Sequence, residues 1–66
     1  MEIFINGVKK SLESNLTVYK LVKDLGYENK RVAIELNNEI ISRSDYQNKL
    51  IVEGDQIEII KAVGGG

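Results

Sequence analysis

Apolar and polar side chains alternate from the first residue, with Met1, Ile3 and Ile5 set against Glu2, Phe4 and Asn6. A period of two is that of a strand with one buried face. Asn6-Gly7 follows. Such a pair tolerates positive φ at both centres of a type I′ turn, whose twist matches paired strands, so Val8 to Leu12 is expected to fold back antiparallel. After the polar Glu13-Ser14-Asn15 the period changes: Val18, Leu21, Val22 and Leu25 share one helical face, with Lys20, Lys23 and Asp24 opposite. That spacing predicts a short amphipathic helix. Thr17 is placed to cap its first turn, and Gly26 can take the left-handed conformation that ends it.

A second alternation sets Val32, Ile34 and Leu36 against Ala33 and Glu35 and stops at Asn37-Asn38, which predicts a third strand. Glu39 to Ser42 reads as a short fourth strand. Arg43 to Asn48 is polar, with Ser44-Asp45 favouring a turn through side-chain hydrogen bonds to the backbone. Leu50 and Val52 are expected to pack from a connecting loop. Glu53-Gly54-Asp55 reads as a turn, and Ile57 and Ile59 alternate with Glu58 in a last strand. The order is ββαββ plus a final strand, an α+β arrangement in which one helix on one face of a sheet closes a two-layer core. No repeat or linker interrupts it, so one domain is expected over residues 1–63, followed by a flexible tail, Gly64-Gly65-Gly66.

Composition narrows the function. Of 66 residues, 42% are hydrophobic and 29% charged, which is the range of globular chains rather than disordered ones. A chain this short buries only about 60% of its unfolded surface, while an active site normally needs a cleft of about 300 Å³ or more, so an enzyme is not expected. The absence of cysteine and histidine removes disulfides, thiolate zinc sites, thiol nucleophiles, the commonest metal ligand and the usual general base. With a net charge of −1 and basic residues scattered from Lys9 to Lys61, no positive stripe is evident, and no nucleic-acid partner is expected. The start lacks a basic leader and no apolar run outlasts Leu50-Ile51-Val52, which argues for no membrane and a cytoplasmic location. Glu53/Asp55 and Glu2/Glu58 read as turn and surface carboxylates rather than acid-base or metal pairs. Lys20, Lys23 and Lys30 read as a solvated face. Tyr19, Tyr27 and Tyr46 read as edge-of-core residues, with no interleaved basic cluster for stacking bases.

The ending is the candidate chemistry. Three of six glycines stand at residues 64–66, an arrangement expected by chance in about 0.03% of chains at ordinary glycine usage. Without Cβ, such a run can enter a narrow channel in any backbone conformation, and three extended residues reach about 10 Å. The terminal carboxylate would then be the reactive group. Ionised at neutral pH, it is a poor electrophile until converted to an acyl-adenylate. Ile60 and Ala62 share parity with Glu58, opposite the core face of Ile57 and Ile59; with Val63 they would form an apolar patch beside the tail.

The Asn-Gly hairpin, the single helix and the glycine end together resemble the ubiquitin-like β-grasp fold and its prokaryotic sulfur carriers. The stretch from Val32 to Ile41, then Arg43-Ser44 with Tyr46, the run Glu53-Gly54-Asp55-Gln56-Ile57-Glu58-Ile59-Ile60 and the close Ala62-Val63-Gly64-Gly65-Gly66 are similar to the ThiS family. Asn38 and Ser42 depart from it, standing where glycine and proline are common. The resemblance implies a mixed sheet and a carrier rather than an enzyme. In that family a ThiF-type adenylating enzyme uses ATP to activate the terminal glycine, sulfur from a persulfide replaces the adenylate, and the thiocarboxylate serves thiazole synthase in thiamine biosynthesis. Carried over, Gly66 bears the sulfur, Gly64 and Gly65 form the arm, and Ile60, Ala62 and Val63 contact the activating enzyme or merely cover the sheet edge. The carrier binds no cofactor and is expected to be a monomer. A molybdopterin-type sulfur carrier, a ubiquitin-like modifier joined through Gly66 to other proteins, and a plain interaction domain are the alternatives.

Overall fold

In the computed structural model, which describes residues 1–61, Glu2–Ile5 (β1) and Val8–Ser11 (β2) form the N-terminal hairpin, with Ile5 opposite Val8. Asn6 at φ 50° and Gly7 at φ 81° make the two-residue connection in the left-handed region that a type I′ turn requires. Leu16–Thr17 (β3) then leads directly into the helix Val18–Asp24 (α1). Thr17 Oγ1 accepts from the Lys20 amide at 3.1 Å and so occupies one of the helix's unpaired donors. At the other end Gly26, at φ 84°, donates to the Lys23 carbonyl while Tyr27 donates to that of Val22. This double closure is a Schellman motif, and it turns the chain sharply toward the next strand.

Val32–Leu36 (β4) and Glu39–Ile41 (β5) form a second hairpin across Asn37 and Asn38, at φ 51° and 71°. Asparagine is among the few residues that enter this region readily, because its short amide can bond locally. A turn of 3-10 helix, Arg43–Asp45, and a two-residue strand, Leu50–Ile51 (β6), precede the last strand, Gln56–Lys61 (β7).

The main sheet runs β2-β1-β7-β4-β5. β7 lies at its centre, parallel to β1 and antiparallel to β4, so the sheet is mixed. The helix buries Val18, Leu21 and Val22 against Ile3, Ile5, Ile34, Leu36, Ile57 and Ile59, as expected, while Met1 and Val32, expected on the same faces, are only half-buried at the core's margin. The ββαββ order with its final strand is present, and the ubiquitin-like β-grasp fold is the architecture.

Two features differ from the sequence expectation. β3 and β6 pair as a separate antiparallel ribbon, Leu16 opposite Ile51 and Thr17 opposite Leu50. Consequently Ile51 points into the core, whereas Leu50 and Val52, expected to pack inward, are 55% and 58% exposed. The cause is the period of two: once Ile51 faces the core, its neighbours on either side must face away. Smaller shifts are that β2 ends at Ser11 and β5 at Ile41, and that Leu25 caps the helix at its exposed end. Among the described residues no helix is long and apolar enough to cross a membrane.

Candidate functional site

The last strand carries the chain toward residues 62–66, so the site is built around how β7 is held. Two asparagines hold it from opposite neighbours. Asn6 Oδ1 accepts from the Ile59 amide at 2.8 Å, and the Asn6 amide donates to the Ile57 carbonyl at 2.8 Å. Asn37 Oδ1 accepts from the Gln56 amide at 2.9 Å, and its own amide donates to the Gln56 carbonyl at 2.7 Å. Both residues sit first in a type I′ turn. The left-handed backbone that makes each turn also aims its side chain at β7, so turn chemistry and strand anchoring have one cause.

Beyond the clamps, β7 outruns β1 and pairs only with β4, Ala33 opposite Ile60 and Val32 opposite Lys61. Ile60 lies on the face away from the helix, as its parity with Glu58 predicts, and is 46% exposed. Its cross-strand partner Ala33 is also exposed, and the next pair along this open face is Glu58 opposite Glu35. Two like charges directly opposite disfavour the pairing modestly, and neither forms an ion pair among the described residues. Ala62, Val63, Gly64, Gly65 and Gly66, the other residues expected to form the patch and the reactive arm, lie outside the described residues.

Lys61 faces the helix side and places its ammonium 5.4 Å from the centre of the Tyr27 ring. Around this end of the sheet stand Lys30 and Arg31, which precede β4, and Arg43, which follows β5 and donates from its guanidinium to the Lys30 carbonyl at 3.1 Å. Arg31, Arg43, Ala33 and Ile60 line one shallow depression, and Tyr27, Lys30, Arg31 and Lys61 line another. Lys30, expected on the solvated face with Lys20 and Lys23, stands instead with Arg31, Arg43 and Lys61, which nothing local in the sequence groups together. Only the adjacent Lys30-Arg31 pair offered a signal.

Besides these two depressions, of about 460 and 380 Å³, a half-open groove of about 360 Å³ runs between α1 and the 3-10 turn, lined in part by Tyr19, Val22, Tyr27, Val32 and Tyr46, so the surface is more indented than the chain's length suggests. Among the described residues the one hydrogen bond between two of the groove's lining side chains runs from the Tyr19 hydroxyl to Glu28 at 3.4 Å; it is exposed and offers no strong acid-base couple. Among the described residues no three carboxylates are gathered to hold a metal ion.

The comparisons with known proteins agree with this geometry. Residues 3–66 match the profile of the ThiS family. A thiazole synthase of Paramagnetospirillum magneticum is 36% identical over 66 residues, covering 100% of this chain and 20% of the relative, so the chain spans about a fifth of that protein's length. The sulfur carrier protein ThiS of Bacillus subtilis is 40% identical over 50 residues, 76% of each chain. Among solved structures, the crystal structure of the thiamine biosynthesis protein ThiS from Geobacter metallireducens superposes with a TM-score of 0.85 at 28% identity, covering 100% of both chains.

Proposed function

The chain belongs to the ThiS family, and on that premise we propose that it carries sulfur on the carboxylate of Gly66 for thiazole formation in thiamine biosynthesis. The observation that carries this reading is that the family match runs through residue 66, so the glycine run lies inside the matched region and not beyond it. A resting carboxylate resists attack because it is already ionised and electron-rich. Its oxygen attacks the α-phosphorus of ATP on a ThiF-type adenylating enzyme, pyrophosphate leaves, and the acyl carbon becomes electrophilic. The terminal sulfur of a persulfide then displaces AMP. Cleavage of the remaining S–S bond by a second thiol releases the thiocarboxylate, with the donor sulfur left in a disulfide.

The chain's own part in this chemistry is presentation. The two asparagine clamps fix the strand that leads to the arm, Gly64 and Gly65 supply a side-chain-free passage to the reacting carbon, and Ile60, Ala62 and Val63 contact the activating enzyme. The carrier holds no cofactor of its own; ATP is bound by the activating enzyme. Thiazole synthase is the acceptor partner, a reading supported by the relative of that name that contains a region matching this whole chain. A cytoplasmic monomer suits a tail that must visit two enzymes in turn.

The test is pyrophosphate release from ATP by a ThiF-type enzyme in the presence of this chain. Release that depends on the chain and disappears when Gly66 is deleted is expected. Equal release with the deleted variant would contradict the assignment of Gly66.

A further inference from the structure

Lys30, Arg31, Arg43 and Lys61 come from three separate parts of the sequence, yet the topology gathers them at the end of the sheet where the chain leaves for residues 62–66. All four are exposed, and none forms an ion pair with a carboxylate among the described residues. Arg43 and Lys61 are nevertheless held in place, one by the Lys30 carbonyl and the other by the Tyr27 ring. The net charge of the whole chain is −1, so this concentration of positive charge is local. Ile60 and Ala33 adjoin it, making a surface with an apolar centre and a cationic border.

We propose that these four side chains form a cationic rim that docks against an acidic protein surface surrounding the channel into which the tail is threaded. This inference rests on the carrier reading and adds the chemistry of the partner's surface. Reach decides between this role and a direct one on the nucleotide. Gly66 is five residues beyond Lys61, roughly 17 Å when extended, which is well beyond what a lysine or arginine side chain can span. The rim therefore stays outside while the carboxylate reacts inside. Charges in that position accelerate encounter and set orientation, and they leave the chemical step alone.

The experiment is steady-state pyrophosphate release by the adenylating enzyme as the concentration of this carrier is varied, at low and at high salt. The K30E/R31E variant is expected to raise KM about tenfold or more at low salt with kcat unchanged, and to flatten the salt dependence. Both side chains are exposed, and K30R/R31K should restore KM. The control K10E/K49E changes net charge by the same amount on residues away from the rim, and should move KM by less than about threefold. An unchanged KM in K30E/R31E would overturn the rim. So would an equal effect in the control, which would make the effect one of global charge, or a fall in kcat alone, which would mean that the cations act on the reacting phosphates. Absence of release with the unaltered chain would remove the carrier reading and the rim together, and is thereby distinguished from failure of the rim alone.

Discussion

Asn37 donates from its side-chain nitrogen to Oδ1 of Asp55 at 2.9 Å, joining the β4–β5 turn to the residue just before the last strand. The second Asp55 oxygen accepts from the Val52 amide at 2.8 Å, and the carboxylate is 7% exposed. A single buried acid thus pairs with a turn on each side. Removing Asn37 leaves the buried Asp55 carboxylate short of a partner, and removing the carboxylate loses both of its charge-assisted bonds, either of which costs about 1–3 kcal/mol. Asp55→Ala should therefore lower unfolding free energy by that amount in urea titration. Asn37→Ala should cost more than Asn37→Gly, because alanine adds the penalty of a left-handed backbone, about 1 kcal/mol, to the same lost bonds.

Much of this framework was legible because its causes are local. Asn6-Gly7, Thr17 and Gly26 each act within a few residues, and each performs the turn, cap or stop expected of it. The alternation in β1, β4 and β7 marked Ile3, Ile34 and Ile57 as core. What could not be read depends on long-range pairing. Leu50-Ile51-Val52 has no polar residue to set its phase, and only pairing with Leu16-Thr17 turns Ile51 inward. Asn37-Asn38 read as a strand stop, but its grip on Asp55 and Gln56 spans 18 and 19 residues and leaves no periodic trace. The cationic rim was invisible for the same reason, since Arg31, Arg43 and Lys61 meet only once the sheet order is known. For the glycine end the position is reversed. The glycine run was plain in the sequence, and residues 62–66 lie outside the described structure.

Ile34 stands on β4 between two neighbouring strands, opposite Ile41 on one side and Ile59 on the other, and is 1% exposed. Ile34→Val should cost about 1 kcal/mol and Ile34→Ala about 2–5 kcal/mol. A domain of this length has about 3–10 kcal/mol in all. The valine variant should remain folded, while the alanine variant should show a lowered urea midpoint and a substantial unfolded population in its NMR spectrum.

Ile60 should separate docking from folding. Its side chain already meets water, so Ile60→Glu should lower stability by no more than about 1 kcal/mol. As the described apolar residue beside the rim, it should lower kcat/KM for adenylation about tenfold. Thermal unfolding and pyrophosphate release on the same sample distinguish the two effects; unaltered adenylation would exclude Ile60 from the contact.

Lys20 is held in its charged form beyond its ordinary range. Its hydrogen bond to Asp24, at 2.9 Å, together with that carboxylate's charge, raises the ammonium pKa above its ordinary 10.5. The group is fully exposed, so its effect on stability is small. Because the folded value is the higher one, its contribution is complete below 10.5 and is lost as pH rises through the folded value. An NMR titration should place Lys20 above 10.5 in the unaltered chain and return it toward that value in Asp24→Asn.

The most direct test of the account is the intact mass of the protein after incubation with a ThiF-type enzyme, ATP and a persulfide sulfur source plus thiol, beside a variant lacking Gly66. The expected result is a gain equal to the replacement of one oxygen by sulfur, complete in the intact chain, absent from the variant and absent without ATP. No gain under conditions that convert the Bacillus subtilis sulfur carrier, or a gain of the same size in the variant, would contradict it.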